Sequence, residues 1–137
     1  MIPTRIMCDS SVLVPAVLAW HPEHDAARAA LAEVDALPAY VLLETYSVLT
    51  RLPAPHRIGA RDAAAVLGAM TLPLLQLPGL EYAALVAAAG AKGVRGGALY
   101  DGLIAATAAH HGAVLITRDA RAQPTYEAMG TQYRLLT

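Results

Sequence analysis

The stretch GALYDGLIAATAAHHGAVLITRD, residues 97–119, decides the fold. Ala98 to His110 is Ala-rich and reads as a helix, which Gly112 ends in the manner of a left-handed C-terminal cap. Val114, Leu115 and Ile116 follow as a short, wholly apolar run, the pattern of a strand buried on both faces. Strands of that kind belong to parallel sheets, with helices as their crossovers. The apolar pattern stops at Thr117 and Arg118, so Asp119 stands just beyond the carboxyl end of the strand.

The same alternation continues on both sides. Ile6 to Cys8 reads as a buried strand ending at Asp9, and Ser10 or Ser11 is placed to cap a helix through Val17 and Leu18. Pro22 suits the first turn of a second helix, with Glu23 and Asp25 at its positive end and its negative end near Asp35. Leu37 and Pro38 form a candidate short strand. Tyr40 to Leu52 has helical spacing until Pro53 and Pro55 stop it, and Ala60 to Met70 is a further helix. Leu72 to Leu77 carries Pro73, so a strand there must lie at an edge or begin at that proline. Gly79 to Lys92 reads as a helix broken by GVRGG (residues 93–97), and a short helix around Tyr126 and a strand from Gln132 to Leu136 complete the order. The expectation is an α/β fold: a three-layer α/β/α sandwich with a mostly parallel central sheet, one domain over residues 1–137. In such folds ligands bind outside the carboxyl ends of the strands.

Composition narrows the function. Apolar residues make up 56% of the 137 and charged residues 15%, against about 25% charged in an average domain, which excludes disorder. The longest uncharged stretch, residues 63–80, contains Pro73, Gln76 and Pro78 and lacks a basic flank, so it is rejected as a membrane span. The apolar run Val12 to Trp20 follows Asp9 and contains Pro15, which argues against a secretory signal and for a cytoplasmic protein. Cys8 is the sole cysteine, and no Cys/His cluster has zinc spacing, so disulfide and structural-zinc scaffolds are excluded. A net charge of −1 argues against coating nucleic acid by bulk charge.

Four acids carry the chemistry. Asp9 and Asp119 follow strands and face one sheet edge; singly, each is explained as well by a turn or cap. Glu44 lines up with Val41, Val48 and Leu52 on an apolar stripe. Asp101 shares a face with Ile104, Ala105 and Ala108 and is the only charge between Arg95 and Arg118. A buried carboxylate needs a cation, donors or a metal, and the simpler alternative is a salt bridge to Arg51 or Arg118. If all four converge, each like-charged pair at about 4 Å costs roughly 4 kcal/mol at an effective dielectric near 20. A divalent cation relieves that cost, and an all-oxygen set selects Mg²⁺ or Mn²⁺ over zinc. The matching chemistry is metal-assisted phosphodiester hydrolysis.

In order, Asp9 with Ser10 and Ser11 after an apolar strand, Glu44 in ETYSVLTR, Asp101 in GGALYDGLIAATA and Asp119 in VLITRD resemble the PIN-domain ribonucleases, most closely the VapC-type toxins of prokaryotic toxin–antitoxin pairs. The resemblance spans essentially the whole chain. It implies a homodimeric Mg²⁺- or Mn²⁺-dependent endoribonuclease acting on RNA and inhibited by a VapB-type antitoxin. It also implies that Asp9, Glu44, Asp101 and Asp119 are the catalytic, metal-binding acids, supported by Ser10 and Thr117. Some members carry another acid shortly after the fourth; here Ala120, Arg121 and Ala122 follow.

Two other readings are weaker. An aspartate-nucleophile phosphatase wants a second Asp two positions after the first, where Ser11 stands, and a late lysine, whereas Lys92 is the only one. A PIN-like binding module without chemistry does not explain four retained acids. Of the remaining residues, His110 and His111 suit capping of a helix C-terminus, Arg51, Arg57 and Arg61 read equally as phosphate contacts or as ordinary solvated charges, and Arg95 is a candidate contact to RNA or to a partner. Trp20, with the Leu42, Tyr46 and Leu49 face, is a candidate antitoxin contact.

Overall fold

The computed structural model describes residues 5–137. Three strands, β1 (Arg5–Cys8), β4 (Ala113–Thr117) and β5 (Tyr133–Leu135), form a parallel sheet in the order β1-β4-β5. Cys8 pairs with Ile116, and Thr117 with Leu135. Two shorter parallel strands, β2 (Leu37–Pro38) and β3 (Leu74–Leu75), form a second small sheet. Asp35 joins the two: its N–H donates to the Ile6 carbonyl and its Oδ2 accepts from the Ile6 N–H, both at 2.8 Å. The free side of β1 is thereby satisfied at Ile6 by the backbone and side chain of one residue in place of another strand.

The helices are α1 (Ser10–Val17), α2 (His24–Leu31), α3 (Ala39–Thr50), α4 (Ala60–Gly68), α5 (Tyr82–Lys92), α6 (Ala98–His110) and α7 (Gln123–Ala128). Successive strand residues point to opposite faces. Met7 and Cys8 are both fully buried, as are Leu115 and Ile116, so the sheet is covered on both sides. That is the three-layer α/β arrangement expected, and every strand pair is parallel. The core runs from these four residues through Leu13, Leu37, Val41, Ile104 and Tyr126.

Helix α6 has the bounds read from the sequence, and Gly112 takes φ +65°, where a side chain would be strained. Strand β3 starts just after Pro73, at the edge. Three local expectations are corrected. The cap of α1 is Asp9, whose side chain accepts from the Ser11 N–H, and neither serine caps it. Helix α2 starts at His24 and ends at Leu31, because Asp35 is engaged by β1. The α5 segment opens with a 3₁₀ turn, Gly79–Glu81. No helix among the described residues is long and apolar enough to cross a membrane.

Candidate active site

Because β1 and β4 are parallel neighbours, their carboxyl ends put Asp9 and Asp119 on the same edge of the sheet. Asp9 is almost fully buried, 4% exposed. Its Oδ1 accepts from the Ser11 N–H at 3.0 Å and the Ser11 hydroxyl at 2.5 Å, and its Oδ2 accepts from the Tyr126 hydroxyl at 2.6 Å. Burial pushes the Asp9 carboxyl above its ordinary range, and the Ser11, Thr117 and Tyr126 donors pull it back. Burial likewise raises the Tyr126 hydroxyl, with Asp9 adding to the shift.

Ser11 Oγ links the two strand ends. Its proton goes to Asp9, so it accepts from the Arg118 N–H at 2.7 Å and from the Thr117 hydroxyl at 3.2 Å. Thr117 Oγ1 in turn accepts from the Asp119 N–H at 3.0 Å. Asp9 and Asp119 are thus tied through one buried hydroxyl chain. Pro15, inside α1, has no N–H to offer the Ser11 carbonyl one turn earlier, and Arg118 Nη1 donates to that carbonyl at 3.4 Å instead. Asp119 Oδ1 accepts from the Arg121 N–H at 2.9 Å and lies 3.6 Å from Arg121 Nε. With the Arg121 side chain 94% exposed, that ion pair is screened and weak.

Glu44 on α3 and Asp101 on α6 are half-buried, and neither has a hydrogen-bond or ion-pair partner among the described residues. The salt-bridge alternative is therefore not realised. Arg51 donates to Ser47 Oγ at 3.2 Å, and Arg118 faces the Ser11 carbonyl and, at 4.0 Å, Glu23. Burial first, then the charges of Glu44, Asp119 and Asp9, push the Asp101 carboxyl up to about 6, with Arg121 opposing. All three other acids thus lie near enough for their charge to reach Asp101.

The donor chemistry fits a hard cation: four carboxylates, no thiol or imidazole among them, and two acids without a partner. The spacing is looser than a closed coordination shell. Among the described residues no three Asp, Glu, His or Cys side chains are grouped tightly enough to hold one ion. At the strand ends Asp9 turns to donors from Ser11 and Tyr126, and Asp119 to the Arg121 N–H.

Of the supporting residues, Thr117 lies in the hydroxyl chain, but Ser10 makes no hydrogen bond through its side chain among the described residues and lines the rim with Ser11, His21, Arg118, Asp119 and Arg121. Ser11 and Tyr126 hold Asp9 and were not legible as site residues. A buried tyrosine hydroxyl needs a partner, yet nothing in QPTYEA marks Tyr126 as buried. His111 Nε2 donates to the Gln76 carbonyl at 2.8 Å and so ties the end of α6 to the segment after β3. Trp20 is 48% exposed and stacks on His56 at 4.0 Å between ring centres. Leu49 is 1% exposed and is core, not a contact face.

Comparison with known proteins gives the family and the fold. A family model described as the PIN domain matches residues 6–127. Ribonuclease VapC40 of Mycobacterium tuberculosis is 44% identical over 130 residues, covering 94% of this chain and 97% of its own. Ribonuclease VapC27 of Mycobacterium tuberculosis is 42% identical over 123 residues, covering 89% and 90%. The crystal structure of FitAcB from Neisseria gonorrhoeae has the same fold, with a TM-score of 0.62 at 22% identity over 93% of this chain and 95% of that one. The chain belongs to the PIN-domain family, among its VapC-type ribonucleases.

Proposed function

We propose that this chain is the toxin of a toxin–antitoxin pair, an endoribonuclease that hydrolyses RNA phosphodiester bonds with Mg²⁺ or Mn²⁺ held by Asp9, Glu44, Asp101 and Asp119. The observation that carries this reading is Asp101, unpartnered and pushed up to about 6 by burial and by the other three acids. Carboxylates gathered at one sheet edge without a buried cation are poised for a divalent one. Such an ion, when bound, supplies positive charge to polarise the phosphoryl oxygen and activate water.

The chain's own residues do the positioning. Ser11 and Tyr126 fix both oxygens of Asp9, and Thr117 holds the backbone of Asp119 through its hydroxyl. Glu44 and Asp101, without a hydrogen-bond or ion-pair partner among the described residues, are left to supply oxygens to the cation. Ser10 supports from the rim. The same reading makes residues 1–137 one PIN domain, homodimeric, cytoplasmic and inhibited by a VapB-type antitoxin; the names of its relatives, Ribonuclease VapC40 and Ribonuclease VapC27, support its ribonuclease part.

Purified chain, free of any antitoxin, is to be assayed on total RNA with EDTA and after Mg²⁺ is restored. Cleavage should vanish in EDTA and return with the cation. Undiminished cleavage in EDTA overturns the mechanism.

A further inference from the structure

We infer that Tyr100, stacked on Tyr40 beside Glu44 and Asp101, is a subsite that holds one unpaired RNA base next to the cleaved bond; the inference rests on the ribonuclease reading above. Tyr40 lies in the first turn of α3 and Tyr100 in the first turn of α6. Their rings are 5.5 Å apart and inclined by 13°, so Tyr40 buttresses the Tyr100 ring. Tyr100 is nonetheless 51% exposed. A ring held from behind and open in front loses little freedom when something flat stacks on it.

The position of the pair is set by the helices. Tyr40 is one turn from Glu44 on α3, and Tyr100 is next to Asp101. Both rings, with Glu44, Ser47, Arg51 and Gly97, line a groove of about 490 Å³, within the roughly 300–1,000 Å³ of small-ligand sites. Charge selects what enters. Beside Glu44 and Asp101 a neutral base adds no negative charge, whereas a phosphate other than the one held by the cation does. Arg51, whose guanidinium contacts only Ser47 Oγ among the described residues, stands two turns further along the same face, where a flanking phosphate is accepted. Stacking on an aromatic ring requires an unstacked base, so single-stranded RNA fits and duplex does not.

The test uses an unstructured RNA oligonucleotide whose cleaved bond has first been mapped, with abasic nucleotides placed in turn around that bond. For wild-type protein one abasic position should lower kcat/KM about ten-fold. Tyr100→Ala should show that loss on intact RNA and no further loss on the abasic strand, while Tyr100→Phe stays within about two-fold of wild type. A 2-aminopurine at the same position should be quenched on binding to Asp119→Asn and not when Tyr100→Ala is added. Equal abasic sensitivity in wild type and Tyr100→Ala, with cleavage intact, overturns the subsite and leaves the ribonuclease standing. Conversion of an assembled form to monomer by Tyr100→Ala, without effect on quenching, overturns it in favour of a subunit contact. Wild-type protein that cuts no RNA with Mg²⁺ overturns the ribonuclease reading and the subsite with it.

Discussion

The strand-end acids and the helix acids solve the same electrostatic problem in opposite ways. Asp9 is buried and receives three hydrogen bonds, two from Ser11 and one from Tyr126; Glu44 and Asp101 are half-buried and receive none among the described residues. The first arrangement fixes an acid in place through its surroundings. The second leaves a carboxylate open to a ligand from outside. On the proposed function, the sheet edge supplies the fixed part of the site and the two helices its open part.

The largest expected effect comes from the open pair. Asp101→Asn and Glu44→Gln should each lower RNA cleavage by at least about a hundred-fold, while urea unfolding of the cation-free chain shows no loss of stability. Asp101→Asn should instead gain about 1 kcal/mol near neutral pH, a figure reduced for screening because the group is half exposed. A large loss of stability in either variant would mean that an unseen partner depends on the charge.

The fixed pair should respond the other way round. Tyr126→Phe leaves Asp9 Oδ2 buried with no donor among the described residues, and Ser11→Ala removes the hydroxyl that joins both strand ends. Each should cost about 1–3 kcal/mol of stability, with an activity loss well below that of Asp101→Asn. Equal and large activity losses without destabilisation would erase the distinction between the pairs.

Titration sharpens the contrast further. Asp101 moves from an ordinary 3.8 to about 6 in the fold, so its favourable contribution to the cation-free chain is complete below pH 4 and lost as pH rises through 6. Cation binding has the opposite sign, since it needs the charged form. Activity should therefore rise with pH through a limb near 6, and added Mg²⁺ should move that limb downward. A limb that Mg²⁺ leaves in place would assign it to another group. The smallest effect belongs to Ser10→Ala, expected within about two-fold of wild type because the contacts to Asp9 are made by Ser11.

Much of this was legible in the chain itself, for reasons that differ by element. Helix α6 was readable to the residue, and strand β4 to within one residue at each end, because a Gly stop separates an Ala-rich run from a wholly apolar one. Glu44 and Asp101 stood out because charge on an apolar face is costly. Asp9 and Asp119 gained meaning only from parallel pairing, which sets them on one edge. The hydroxyl chain was not legible. Ser10 and Ser11 are equivalent as sequence, and only the backbone turn at Asp9 decides which reaches it. Tyr126 reaches Asp9 across 117 residues, and a six-residue helix has no periodicity to announce its buried face. Leu49 shows the converse failure, a residue assigned to a contact face that tertiary packing placed in the core.

On the proposed function the four acids form one cation site, completed by the helix acids Glu44 and Asp101. Calorimetric titration of the cation-free chain with Mn²⁺ tests it without reference to catalysis. Wild type should bind saturably, with affinity weakened at least about ten-fold in both Asp101→Asn and Glu44→Gln and retained in Ser10→Ala. Wild-type affinity preserved in both acid variants, with their folds intact, would contradict it.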